Sequence, residues 1–272
     1  MPDKEIMFQI DALKKYYPLP KETIFQRERD VVKAVNGVSF DVKKGETFGI
    51  VGESGSGKST VARLVNLLIN PTEGAVYYKG QNIVEFDKRE KKEFRKEVQM
   101  VFQSPYGTLD PRRTIEYSLR EPFIIHAVGT RESQDKKIYE LLELVNLPQS
   151  SLNKFPHELS GGQLQRVNIA RAIALDPEVL ICDESVSALD VSVQAQILNL
   201  LNDLQKELGL TYIFISHDLN VVRYMCDRIA VMYLGEIIEM DTAEQIYDHP
   251  QKDYTKKLLT AIPINSPHER RA

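Results

Sequence analysis

Two glycine-rich stretches, GESGSGKST at residues 52–60 and LSGGQ at 159–163, each lead into a helix-like run, yet only the first carries a lysine. The first has the spacing G-x-x-x-x-G-K-S, follows the strand-like ETFGIV and opens a helix, which is the context a phosphate loop requires. Gly52, Glu53, Ser54, Gly55, Ser56 and Gly57 form a turn whose backbone N–H groups face an anion at the positive end of the helix begun by Lys58, Ser59 and Thr60. Lys58 is placed to reach β- and γ-phosphates and Ser59 to give its hydroxyl to Mg²⁺.

Other chemistry-bearing residues stand at strand ends. VLICDE puts Asp183 and Glu184 at the carboxyl end of a buried strand, where open α/β sheets bind ligands. Asp183 then suits Mg²⁺, through water, and Glu184 suits a general base that polarises an attacking water. His217 ends TYIFIS and fits either a γ-phosphate contact or a helix-start and packing role. Gln103 ends the strand-like stretch before SPYGTLDP, and a lone glutamine there carries no chemistry by itself. In LSGGQ, Ser160 and Gln163 have capping-box spacing. That does not explain Gly161 and Gly162, since each glycine costs a helix about 1 kcal/mol against alanine unless something approaches the backbone closely.

The elements that would carry these residues alternate as in an α/β protein. FQIDALKKYY, VVKAVNGVSFDV and ETFGIVG read as strands, the first two separated by the polar loop PLPKETIFQRERD. STVARLVNLLI has helical spacing and should stop at Asn70, ahead of Pro71. GAVYYKGQNIVEF reads as a hairpin, and residues 94–166 as a helical insertion. EVLICDE, SVQAQILNLLNDLQKELG and TYIFISHD then return to strand, helix and strand, apolar enough for a parallel sheet covered on both faces. Two strands and short helices follow, and NSPHERRA should fray.

At 272 residues with 42% hydrophobic content, the chain can build a substantial core. Its net charge of −4 argues against a general nucleic-acid binder. Cys182 and Cys226 have no neighbour at metal or redox spacing and read as reduced, packed thiols of a cytosolic protein. MPDKEIMFQID is too charged for a signal peptide, and no apolar run is long enough to span a membrane.

Taken in order, GESGSGKST, Gln103, LSGGQ, VLICDE, SALD and His217 resemble the ATPase subunit of ABC transporters over nearly the whole chain. The resemblance implies one ABC ATPase domain over 1–272: a P-loop NTPase core with a parallel sheet, an N-terminal antiparallel β subdomain and an inserted α-helical subdomain at 94–166. It implies ATP and Mg²⁺ as cofactors, with Ser160, Gly161, Gly162 and Gln163 binding the γ-phosphate held by the phosphate loop of an opposite subunit. The missing lysine is then supplied across a dimer interface. It also implies that Tyr17, or Tyr16, stacks on adenine, and that Gln103 joins Ser59 and Asp183 at the metal and links the nucleotide to membrane subunits. Ser187 to Asp190 would lie at the dimer interface, and His217 and Gln103 would be catalytic beside Glu184.

FQSPYGTLDPRRTI, FPHELSGGQLQR, SALDVSVQAQILNLL and the tail HPQKDYTKKLLTAIP are similar to the oligopeptide/dipeptide importer branch, its second ATPase in particular, with 240–272 as the C-terminal extension. The implied partners are a second ATPase subunit, two permease subunits and, indirectly, an extracytoplasmic solute-binding protein, on the cytoplasmic face of the cell membrane. No nucleic acid is expected. Ser185 stands where the family usually has proline, which leaves the turn after Glu184 less rigid. Some members of the branch hold an iron–sulfur cluster on C-terminal cysteines, and the tail here has none. The region from Gln103 to Arg113, where SPYGTLDPRR is a proline-containing loop with exposed-looking aromatic and basic residues, is expected to dock on a membrane partner, with Tyr106 and Leu109 as positions from which to crosslink it. A DNA-repair or translation ATPase of the same type would need a long coiled-coil insertion or two fused cassettes, and a plain phosphate-loop kinase would lack LSGGQ and SALD.

Overall fold

A computed structural model describes residues 5–19 and 30–260. In chain order the elements are β1 (Ile6–Pro18), β2 (Val31–Lys43), β3 (Thr47–Val51), α1 (Lys58–Val65), β4 (Glu73–Tyr78), β5 (Gln81–Asn82), α2 (Lys88–Glu97), β6 (Val98–Val101), α3 (Ile115–His126) and α4 (Arg131–Leu144). They continue with α5 (Gly161–Ile173), β7 (Val179–Asp183), α6 (Val191–Leu208), β8 (Thr211–Ser216), α7 (Leu219–Met225), β9 (Arg228–Tyr233), β10 (Glu236–Thr242), α8 (Ala243–Asp248) and α9 (Asp253–Thr260). Most of the 18–30 loop and the NSPHERRA tail lie outside the described residues.

Six strands in the order β10-β9-β3-β8-β7-β6 form the central sheet, parallel except for the β9–β10 hairpin at one edge. Every residue of β3, β7 and β8 is buried, so these strands are apolar without alternation. Alternate residues nevertheless serve different cores, because a strand turns successive side chains to opposite faces. Leu180, Cys182, Tyr212 and Phe214 pack with α3 to α7, whereas Val179, Ile181, Ile213 and Ile215 pack with α1 and the N-terminal sheet. That second sheet, β2-β1-β4-β5, is antiparallel throughout.

Register brings the chemistry to one edge. Val51 at the end of β3 pairs with Ser216 of β8, and Asp183 at the end of β7 pairs with Ile215. The loops after β3, β7 and β8 therefore leave the sheet side by side, carrying residues 52–60, Glu184 and His217.

Two expected boundaries need correction. Phe94 does not begin a helical insertion: it is the buried residue of α2 and packs edge-on against Tyr78 at 5.4 Å, while Val98–Val101 is β6, paired in parallel with β7. The helices begin beyond it, and α5 runs past residue 166 to Ile173. The first helix also ends early, at Val65 rather than Asn70. Asn66 closes it and Leu67 takes a left-handed φ of 51°, which buries the leucine in the second core.

Candidate phosphate and catalytic site

The loop of residues 52–60 divides its work. Ser54, Gly55, Gly57, Lys58, Ser59 and Thr60 line a cleft of about 420 Å³. Gly52, Glu53 and Ser56 hold the loop in shape: the Gly52 and Glu53 carbonyls accept Lys58 Nζ at 2.8 and 2.7 Å, and Ser56 N–H donates to Glu53 O at 3.2 Å. Gly57, at φ 106°, is required by packing, since any Cβ there would strike the Ala34 carbonyl of β2. Gly55, at φ 82°, meets nothing within 4 Å, so its backbone is open on the cleft side.

Lys58 is 4% exposed and makes no ion pair among the described residues. Burial lowers its pKa, and the nearby charges of Glu184, Asp183 and Glu53 oppose that shift. Asp183 is 6% exposed and accepts Ser59 Oγ–H at 2.9 Å. Burial raises its pKa, with the Ser59 hydrogen bond pulling it down. A hydroxyl and a carboxylate in contact, with burial disfavouring the carboxylate's charge, fit a hard divalent cation such as Mg²⁺, which takes oxygen ligands and offsets that cost.

Glu184 follows at a left-handed φ of 48°, which costs a non-glycine residue about 1–3 kcal/mol. Its N–H donates to Ile215 O at 2.9 Å, so the strained residue is tied to the neighbouring strand. Gln103 Nε2 donates to Glu184 Oε2 at 2.8 Å, and His217 Nδ1 lies 3.4 Å from Oε1. The helix-start role open to His217 belongs to Asp218, which caps α7 through Asn220 and Val221 N–H. His217 is half exposed, so it is not a packing residue either. Ser185 is buried, with its hydroxyl near the Cys182 thiol but without a partner at hydrogen-bonding geometry. Burial pushes the Cys182 thiol up to about 12.

LSGGQ stands apart: none of residues 160–163 lines the cleft. Ser160 caps α5, accepting Gln163 N–H at 3.3 Å while Gln163 Oε1 accepts Ser160 N–H at 3.1 Å. The close approach expected at both glycines is internal at one of them. A Cβ on Gly162 would come within 2.5 Å of Val193 in α6, whereas one on Gly161 would make an ordinary 3.6 Å contact with Leu189. Of SALD, Ser187 Oγ donates to Glu184 O at 2.9 Å and Asp190 caps α6 at Val193 N–H, 3.0 Å.

Tyr17 is 39% exposed at the end of β1, opposite Val32, which lines the cleft although Tyr17 does not. Tyr16 donates its hydroxyl to Asn36 at 2.6 Å. Besides Gln103 and Glu184, the rest of the wall, Val32, Lys33, Ala34, Leu234 and Gly235, comes from β2 and the β9–β10 turn. Gly235 N–H donates to Ser56 O at 3.0 Å and so ties that turn to the loop. No short-range signal marks these residues, because some 200 positions separate the two segments.

A family model described as "ABC transporter" matches residues 35–187. Over 263 residues the chain is 49% identical to the oligopeptide transport ATP-binding protein AppF of Bacillus subtilis strain 168, covering 96% of this chain and 80% of that protein. It is 51% identical over 260 residues to the dipeptide transport ATP-binding protein DppF of Haemophilus influenzae, covering 96% and 79%. Among solved structures it resembles the dimeric post-hydrolysis state of the ATP-binding cassette MJ0796 bound to ADP and Pi. That likeness has a TM-score of 0.77 and 32% identity, over 87% of this chain and 99% of that one.

The raised pKa of Asp183 has a consequence for stability. A carboxyl with a raised folded pKa costs nothing below its ordinary value of 3.8, and its penalty grows as pH rises through the folded value. Asp183→Asn keeps the acceptor for Ser59 and removes that penalty. Without nucleotide or metal it should melt above the wild type at pH 7. Differential scanning fluorimetry should show the gap closing as pH is lowered towards 4.

Proposed function

Because the chain belongs to the ABC transporter family, as its ATP-binding and ATP-hydrolysing cassette, we propose that it powers import of oligopeptides or dipeptides. Relatives near 50% identity are named as oligopeptide and dipeptide transport ATP-binding proteins, which supports the solute class. The observation that carries the chemistry is Glu184, held between Gln103 and His217 at the same sheet edge as the phosphate loop.

On this reading Lys58 and the open backbone around Gly55 receive the phosphates, and Tyr17 or Tyr16 meets adenine at the rim. Ser59 and Asp183, with Gln103 beside them, hold Mg²⁺, which when bound offsets negative charge on the phosphates. Glu184 takes the proton of the attacking water, and His217 steadies the charge opposite it. Gln103 donates to the carboxylate meanwhile, so it senses whether that oxygen is engaged.

A single chain leaves the site half built. Ser160 to Gln163 lie off the cleft with the Gly161 backbone uncrowded, which suits the phosphate of a second cassette, either another copy or a related chain. Among the described residues no helix is long and apolar enough to cross a membrane. Two permease subunits would supply the path, receiving solute from an extracytoplasmic binding protein, with the cassette on the cytoplasmic side. Tyr106, 58% exposed, and Phe102, 40% exposed, offer the permease an apolar surface next to Gln103. Leu109, expected at that surface, is 6% exposed and belongs to the core with α3 to α7.

Three outcomes test this. Glu184→Gln should bind ATP normally and hydrolyse it about 10²- to 10⁴-fold more slowly, as a steady-state phosphate-release assay would show; near-normal turnover removes Glu184 from the role. Gly161→Asp fits the folded monomer, so it should melt and bind ATP as the wild type does, while light scattering with ATP shows no dimer. A cysteine at Tyr106 should crosslink to a permease in the assembled complex, and its failure there would remove this face from the interface.

A further inference from the structure

The C-terminal helix reaches the phosphate loop. Tyr254, in the first turn of α9, accepts the Glu53 backbone N–H on its hydroxyl oxygen at 3.3 Å. Its ring lies against Tyr233, with centroids 4.3 Å apart. The N–H belongs to the Gly52–Glu53 peptide, and the carbonyl of that same peptide accepts Lys58 Nζ at 2.8 Å. One planar group thus has its donor on Tyr254 and its acceptor on Lys58. Because the peptide bond is rigid, tilting the N–H away from Tyr254 also tilts the carbonyl under the ammonium.

The helix that presents Tyr254 is itself anchored. Glu239 of β10 accepts Gln251 N–H at 2.7 Å, Lys252 N–H at 3.1 Å and the Thr255 hydroxyl, and Thr255 is 1% exposed. Leu258 and Leu259 pack against the core that holds α5 and α6. Tyr233, beneath the ring, ends β9 just before the turn whose Gly235 N–H holds Ser56 O. Both contacts on the loop therefore come from the C-terminal segment, one through Tyr254 and one through the β9–β10 turn.

We propose that Tyr254 is a positioning residue for the phosphate-binding lysine: its hydroxyl fixes the Gly52–Glu53 peptide, so the C-terminal helix sets nucleotide affinity. This rests on the assignment of Lys58 to phosphate. The test is calorimetric titration of the full chain with MgADP, which cannot turn over. Tyr254→Phe keeps the ring on Tyr233 and removes only the acceptor, so its Kd should rise about two- to tenfold, the range for one neutral hydrogen bond. Lys58→Met should weaken binding by itself, and adding Tyr254→Phe to it should change nothing further, because the hydroxyl acts through the ammonium. Wild-type affinity in Tyr254→Phe overturns the proposal. So does an undiminished loss in the Lys58→Met background, which would mark a merely structural contact. Wild-type affinity in Lys58→Met alone would overturn the lysine assignment, and this proposal with it, and that result is read independently of Tyr254.

Discussion

Lys58 holds its ammonium under two carbonyls of its own loop, in a place where only 4% of the residue reaches solvent. A buried ammonium is expensive unless it is hydrogen-bonded, and carbonyl dipoles compensate less than a carboxylate contact would. The structure supplies Asp183 and Glu184 nearby as longer-range compensation, and Asp183 is itself disfavoured by burial. Both signs of charge are therefore short of solvation at one sheet edge. A polyanion with a divalent cation relieves both deficits at once: phosphate oxygens for the ammonium, metal for the carboxylate. The parallel sheet matters to function mainly because its fully buried strands create this poorly solvated edge.

Glu184 shows the same economy on a smaller scale. Its left-handed φ is sustained by the backbone bond to Ile215 and by Ser187, which closes the turn on the Glu184 carbonyl. The side chain is then aimed into a space bounded by Gln103 and His217, which come from different strand ends. Ser185, the next residue, buries a hydroxyl without a hydrogen-bond partner. The turn keeps its geometry through neighbouring hydrogen bonds.

Sequence spacing revealed those parts of the site that are local. GESGSGKST, VLICDE and the cap of LSGGQ are contiguous stretches, and the structure places each at the loop or helix start its spacing requires. It was silent on the cleft wall, because Lys33 and Leu234 meet only through the stacking of an antiparallel sheet on a parallel one. It misplaced the start of the helical segment, since a short strand such as VQMV follows α2 without a break. It also could not tell the two glycines of LSGGQ apart. Gly162 is needed by Val193 inside the same chain, and spacing alone cannot tell an internal neighbour from a ligand.

That distinction bears on what is left for a second cassette to use. Ser160 and Gln163 are engaged in capping, and Gly162 is packed on α6, so the uncommitted feature of LSGGQ is the bare backbone at Gly161, at the positive end of a thirteen-residue helix. A helix start with a free face and no lysine attracts an anion weakly. The loop of residues 52–60, with its buried ammonium, offers an anion the stronger pull. Each surface lacks what the other has, and in one chain they do not share a cleft. On the proposed reading, two incomplete halves would close over a shared anion, and assembly would then depend on the nucleotide, as a motor driven by binding and hydrolysis requires.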